Sequence, residues 1–277
     1  MVAFFNFILI VKGEVMEEID YSDDGNIDDT DEIYIGFAEV YDDFMDNIPY
    51  YEWHDYIHKL LIKYGVETGL VADLACGTGT MTDLLAGDGY DMIGVDMSEE
   101  MLARARQKCS DNVLLLKQDI RELDLYGYVD AFVCICDGMN YILDIEDIYR
   151  VFMHVRTFLD IGGVFIFDMK TRYFYENVLG TRTFAENRDN ASLFWENEFH
   201  EDTCINEYML TIYNLADDEN YLFERFDELH RQRAYSVEEI KTCADRAGLR
   251  CVDVYGAFSE EPPKDNSERI YFILECV

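Results

Sequence analysis

A chain of 277 residues, 49% hydrophobic and 14% aromatic, can bury a full core as one large domain or a core domain with a small subdomain. Its 58 acidic against 22 basic side chains leave a formal charge of −36, which argues against partners that draw affinity from neutralised phosphates, namely DNA, RNA and anionic membranes. Most of that charge is read as a solubility device, and eight cysteines with no C-x-x-C pair point to reduced thiols in the cytoplasm.

The chain opens on an apolar stretch, residues 2–11, that is half the length of a membrane span and lacks the flanks of a signal peptide. Met16 offers an alternative start. An acidic run from Glu17 to Glu32 follows, and within it Asp20, Ser22, Asp24, Asp28 and Asp31, with Gly25 at the turn, match a calcium-loop template. Ser22 weakens its third position, Asp31 is shorter than the usual bidentate Glu, and no second loop pairs with it. Residues 1–33 are therefore expected to be a solvated, mobile acidic extension, with calcium binding left open. From Tyr50 the periodicity predicts a helix with Tyr51, Ile57, Leu60, Leu61 and Tyr64 near one face and Gly65 at its end. His54 and His58 on it are spaced like a zinc-protease pair, but Asp55 stands where a Glu is needed and is one methylene short. No metal is expected there, and both histidines are placed on the helix surface.

The next segment is the most informative. An apolar run from Gly69 to Leu74 reads as a buried strand, breaks at Cys76 to Gly79 and restarts as a helix over Thr80–Ala86. Strand, glycine turn and helix make a ligand-binding corner, since glycine lets main chain approach a bound molecule closely. A second strand, Asp91–Val95, ends in Asp96, seventeen positions after Gly79, where such a corner places a carboxylate for two ribose hydroxyls. Position 82 is Thr82 instead of the third glycine of a dinucleotide site, and Asp73 at the first strand's end suits a cation better than a pyrophosphate. These electrostatics favour S-adenosylmethionine, with its sulfonium and ammonium, over a dinucleotide.

Ser98, Glu99 and Glu100 cap and charge a helix running to about Lys108. Strands follow at Val113–Leu116 and Ala131–Cys136, the latter with Cys134 and Cys136 on one face, then an amphipathic helix from Ile145 to Leu159 and a fifth strand, Val164–Phe167, ending at Asp168. Runs apolar on both faces and separated by helices imply a parallel sheet covered on both sides. The rhythm then changes to three long strands, 192–200, 205–213 and 221–233, read as an antiparallel flap inserted after the fifth strand. A helix with a capping box, Ser236 and Glu239, runs to Gly248, and two closing strands span 251–255 and 270–276. The expected fold is α/β: a doubly wound, mostly parallel, Rossmann-like seven-stranded sheet with that flap. Residues 34–172 plus 234–277 form the core and 173–233 the flap.

Four stretches in order carry a family resemblance: Asp73–Gly79, Ile93–Leu102, Gln118–Ile120 and Val129–Asp137. They resemble the motifs of class I S-adenosylmethionine-dependent methyltransferases, and the likeness runs from about Ile35 to the C-terminus. It is strongest to small bacterial members of unassigned substrate, which open with a stretch like Phe37–Met45. The resemblance implies S-adenosyl-L-methionine as cofactor and S-adenosyl-L-homocysteine as product. It places main chain at Ala75, Gly77 and Gly79 against the methionine portion, Asp96 on the ribose and Met97 on the adenine. Asp119 would accept from the adenine amino group and the Ile120 amide would donate to the ring. Tyr34 and Tyr41 would close over the site, and Asp73 and Cys136 complete the set.

Methyl transfer is an in-line displacement, so the protein mainly aligns the acceptor, excludes water and removes a proton where needed; alignment alone supplies about 7–11 kcal/mol. His230 is the first candidate base, with Asp137 and Tyr141 at the strand ends beside it; Asn140, His200, Tyr208 and Arg233 are further candidates. On the last flap strand Glu228, His230 and Gln232 share one face and Arg231 and Arg233 the other, so only one set can look into the pocket. The expected activity is methyl transfer to a nitrogen or oxygen of a small molecule, with no nucleic-acid or membrane partner and no prediction of oligomeric state. The alternatives are a protein methyltransferase and a non-catalytic protein that binds S-adenosylmethionine or a dinucleotide.

Overall fold

In the computed structural model, residues 34, 36–46, 49–217 and 220–277 are described; the acidic extension and its calcium-like loop lie outside them. The chain begins with helices α1 (Phe37–Phe44) and α2 (Tyr50–Lys63). It then alternates: β1 (Leu70–Leu74), α3 (Thr80–Gly87), β2 (Asp91–Asp96), α4 (Glu99–Lys108), β3 (Leu114–Lys117), β4 (Val129–Cys134), α5 (Ile145–Phe158) and β5 (Leu159–Lys170). Four strands follow, β6 (Thr183–Asn187), β7 (Ala191–His200), β8 (Ile205–Asp217) and β9 (Leu222–Arg233). Helix α6 (Val237–Ala247), β10 (Leu249–Gly256) and β11 (Arg269–Cys276) close the fold.

The seven-stranded sheet has the order β10-β11-β5-β4-β1-β2-β3, parallel except where β11 pairs antiparallel with β5 and β10. From β1 the chain winds outward through β2 and β3, then returns to β4 on the other side and winds outward again. The switch point between β1 and β4 leaves a crevice beyond their C-terminal ends, where ligands bind in open α/β sheets. Alternation along the strands divides the core between the two faces. Phe165 and Phe167 pack with α5 and α6 side chains such as Phe152 and Ile240, while Val164 and Ile166 pack with Ile57, Leu60 and Leu85 of α2 and α3. Among the described residues no helix is long and apolar enough to cross a membrane.

Several expectations need correction. The flap has four antiparallel strands, in the order β6-β7-β8-β9, where the sequence showed three. β6 is a short edge strand with no buried residue, so it carries no alternating apolar signal. Tyr51 is 75% exposed, and Trp53 and Tyr56 take the buried face of α2 instead. β4 stops at Cys134, a core residue; Cys136 has left the strand with φ 73° and does not share its face. The capping box is present as read, with Ser236 and Glu239 exchanging hydrogen bonds at the start of α6 and left-handed Gly248 ending it.

The flap's inner face packs Leu193, Trp195, Leu210 and Ile212 against Phe37, Val40 and Phe44 of α1 and against Tyr175 and Leu179. Helix α1 therefore lies between the flap and the crevice.

Candidate active site

β1 ends at Leu74, and the backbone turns through Ala75, Gly77 and Gly79 at φ 54°, 55° and 76° before α3 starts. Beyond this turn lies a cavity of about 590 Å³ that reaches Asp73, Asp96, Met97, Asp119, Ile120 and Cys136, and is lined also by Ala75, Gly77, Tyr34 and Tyr41. A Cβ built on Gly77 meets nothing within 4 Å, so this glycine leaves its side-chain position open to a ligand while holding a left-handed turn. Gly79 departs from the expectation. It is not among the lining residues, and its missing Cβ would strike Cys109 Sγ at 2.6 Å, so it permits α3 to pack on α4.

Asp96 accepts the Gly77 amide (2.8 Å) and the Ser98 amide (2.9 Å), one on each oxygen. Each oxygen keeps a lone pair for a ligand hydroxyl. Burial pushes its pKa up, against the pull of those amides. Asp73 is deeper, 2% exposed, and accepts from Thr82 Oγ1 at 2.6 Å. Burial pushes it up to about 7, with Thr82 opposing and Asp96 adding to the rise. Two buried carboxylates at the crevice favour a cationic ligand.

Asp119 is more engaged than the sequence suggested. Arg121 grips it through its backbone amide (2.8 Å) and through Nε and Nη2 (2.8 and 2.5 Å to Oδ2). Burial raises its pKa but Arg121 outweighs that and holds the carboxyl ionised. An adenine amino group would share this carboxylate with the guanidinium.

A second cavity, of about 700 Å³, lies on the flap side and shares Tyr34, Tyr41, Cys136 and Tyr141 with the first. Its walls include Phe37, Phe174, Trp195, Tyr208 and Leu210. At the junction Tyr141 Oη lies 2.6 Å from Tyr34 Oη, 2.5 Å from Tyr208 Oη and 3.3 Å from His230 Nδ1. His230 Nε2 lies 3.1 Å from Glu228 Oε2, and Tyr208 stacks on the imidazole at 4.8 Å. A carboxylate only accepts, so Nε2 carries a proton, and in the neutral ring Nδ1 is the nitrogen left to accept from the phenol. Burial, with Tyr208 beside it, holds the Tyr141 phenol well above its ordinary pKa. The Glu228, His230 and Gln232 face thus turns inward, although Arg231 also borders the first cavity.

The sequence placed Glu228 on the His230 face but gave it no role, and its carboxylate also accepts the amides of Tyr34 (3.0 Å), Gly36 (2.9 Å) and Phe37 (2.9 Å). It caps α1 from the flap, where Gly36 supplies no side-chain cap. At the other end of α1, Asp42 accepts from Thr78 Oγ1 (2.7 Å) and pairs with Lys108 (2.6 Å), fastening the helix to the glycine turn. Strand alternation grouped Glu228 with His230 but could not show that it caps α1; nothing local marks Asp42 or Lys108.

Asp137 is placed differently from its expected catalytic role. It sits on the flap side, bonded to Lys170 (2.9 Å), Arg269 (2.8 Å) and Gln232 (2.8 Å). Burial would raise its pKa, but Lys170 and Arg269 hold it below the ordinary range, which makes it a poor base. It is an ion-pair hub joining β5, β9 and β11. Asn140 ties the Lys170 backbone to the Arg233 carbonyl. His200 pairs with Glu207, Arg233 bonds the Leu143 carbonyl, and neither lines either of these two cavities. His54 and His58 lie outside both cavities as well.

Comparison with known proteins agrees with this geometry. Residues 71–163 match the family model described as a methyltransferase domain. The chain is 35% identical over 245 residues to YqeM of Bacillus subtilis (strain 168), a protein named as a methyltransferase, covering 87% of this chain and 96% of that one. A crystal structure of an S-adenosylmethionine-dependent methyltransferase from Clostridium acetobutylicum superposes with a TM-score of 0.75 at 30% identity, covering 86% of this chain and 97% of that one. Over 100 residues, 36% of this chain and 42% of the other, it is 29% identical to a dTDP-3-amino-3,4,6-trideoxy-alpha-D-glucopyranose N,N-dimethyltransferase of Streptomyces venezuelae. With the glycine turn, the Asp96 carboxylate and the switch-point crevice in place, these likenesses show that the chain belongs to the S-adenosylmethionine-dependent methyltransferases.

Proposed function

We propose that the protein methylates a nitrogen or oxygen of a small molecule that enters the flap-side cavity and meets the methyl donor at Tyr141. The observation that carries this reading is the pair of cavities sharing Tyr34, Tyr41, Cys136 and Tyr141. S-adenosylmethionine supplies an electrophilic methyl on sulfur, and Asp73, Asp96, the Ile120 amide and the main chain at Ala75 and Gly77 are the groups placed to hold it. Met97, Tyr34 and Tyr41 would enclose it, with Asp119 and Arg121 at the adenine end.

The flap, residues 173–233, would roof the acceptor over a core of 34–172 plus 234–277. When bound, the donor would give up its methyl to an acceptor amine, leaving the electron pair on sulfur, and the new ammonium would have to lose a proton. Tyr141, kept protonated by burial, would pass its own phenolic proton to His230 Nδ1 while taking the acceptor's proton in its place, and Glu228 would stabilise the resulting imidazolium. A cavity of about 700 Å³ with Phe37, Phe174, Trp195 and Tyr208 in its walls suits a molecule bulkier than a simple amino acid. The amino-sugar substrate named for the Streptomyces venezuelae relative supports the same size and an amine acceptor.

Radiolabelled methyl uptake across a panel of amines, amino sugars and hydroxylated metabolites tests the reading. Labelling of a panel member is expected, slowed by about 10²-fold or more in Tyr141→Phe. Labelling of proteins alone, or full activity in that variant, would overturn it.

A further inference from the structure

Outside the active site, His54 and His58 of α2 converge on Asp88, the residue that ends α3. Asp88 Oδ2 lies 2.6 Å from His54 Nε2 and 2.5 Å from His58 Nδ1, and the three donor atoms fall within 4.8 Å of one another. We infer that this trio is a binding site for a first-row divalent cation such as Zn2+ or Ni2+, fastening α2 to the end of α3.

Histidines four positions apart project from the same side of a helix, so both imidazoles reach one point in space. Neither ring is free to wander: His58 packs edge-on to the buried ring of Tyr90 at 5.7 Å, and His54 lies 5.9 Å from His58. His54 Nδ1 faces Asp55 Oδ1 at 3.2 Å. A carboxylate on one ring nitrogen favours a proton there, so once the proton shared with Asp88 is displaced the other nitrogen offers a lone pair, the arrangement that supports a metal-bound histidine. Asp55, too short to serve a zinc-protease mechanism, thus acquires a different use, as the residue that sets the tautomer of His54.

Two imidazoles and one carboxylate select zinc, nickel or copper over calcium and magnesium, which prefer oxygen alone. Tetrahedral zinc with bonds of about 2.0–2.1 Å needs its donor atoms about 3.3 Å apart, so the two imidazole–carboxylate distances would each open by under about 1 Å, and the two imidazole nitrogens already lie within 4.8 Å of each other. The fourth position faces solvent, since Asp88 is exposed and His58 half-buried. The cation would replace the two protons that now bridge the imidazoles to Asp88, and would brace α3 at the end opposite the glycine turn.

Calorimetric titration of the full chain with Zn2+ in excess Mg2+ tests the site, the magnesium saturating the general acidic surface. One zinc per chain is expected, together with a melting temperature that rises with zinc and falls back with a chelator. His58→Ala and Asp88→Asn should each abolish that zinc and the thermal shift, while Asp55→Ala should weaken binding by about 10–100-fold. Co2+ substituted for Zn2+ should show the intense visible absorption of four-coordination in the wild type and lose it in His54→Ala. The variants lie outside both cavities, so unchanged S-adenosylhomocysteine binding verifies that they fold. No zinc uptake against magnesium, or zinc uptake that survives loss of His58, would overturn the inference.

Discussion

The crevice and the flap cavity meet at four residues but are built in opposite ways. The crevice is made from the tips of adjacent parallel strands and the main chain between them, so most of its groups fall between Asp73 and Ile120. The flap cavity draws on α1, the Gly138–Tyr141 turn, the antiparallel strands and the segment before β11, spread over more than two hundred residues. A common donor is held by backbone geometry that many sequences can supply; a particular acceptor is enclosed by side chains that only this sequence supplies. Loss of a flap-side group should therefore damage turnover while sparing donor binding, and loss of a crevice group should damage binding first.

The largest effect expected is at His230, which stands on a flap strand but lines the crevice where it meets the flap cavity. His230→Gln keeps an N–H toward Glu228 but removes the proton acceptor, so turnover should fall by about 10²–10⁴-fold. Affinity for S-adenosylhomocysteine, read by calorimetry, should hold. A matching loss of affinity would mean that the two cavities act as one site.

Next is Asp96→Ala. A ligand at 100 times its dissociation constant adds about 2.7 kcal/mol to stability. Hydrogen bonds to a charged acceptor contribute about 1.5–3 kcal/mol each. Most of the thermal shift caused by S-adenosylhomocysteine should vanish in this variant; an unchanged shift would remove Asp96 from the binding site.

A smaller effect follows from Asp73, whose pKa stands at about 7 in the folded chain against an ordinary 3.8. Burial favours the neutral form, so the folded state keeps a proton that the unfolded chain has already lost. This group's contribution to stability is present in full below the unfolded pKa, declines as pH rises toward 7, and is level above. Asp73→Asn should flatten that part of the stability profile. Bound S-adenosylmethionine, being cationic, favours the ionised form, so its affinity in the wild type should climb toward pH 7 and then level off. An identical profile in Asp73→Asn would contradict this.

The same contrast explains what could be read from the sequence. The seven-stranded sheet follows from apolar runs and glycine breaks, which are local signals. Asp73, Gly77 and Asp96 were legible because the corner that holds them is continuous in the chain. Gly79 lies in the same motif yet faces α4, since motif membership does not say which way a backbone atom points. Arg121 on Asp119, and the pairing of Asp137 with Lys170 and Arg269, depend on side-chain reach and long-range strand order, so a free acid in the sequence became a bound one in the fold. Period-two alternation grouped His230 with Glu228 and Gln232 but left open which face turns inward; the links from His230 to Tyr141 and from Tyr141 to Tyr34 span 89 and 107 positions and left no local trace.

Filling the flap cavity is the most direct test. Leu210 lines it and is absent from the crevice. In Leu210→Trp, affinity for S-adenosylhomocysteine should match the wild type while methyl transfer to the acceptor found by the panel is lost. Transfer at the wild-type rate would contradict an acceptor that approaches through the flap.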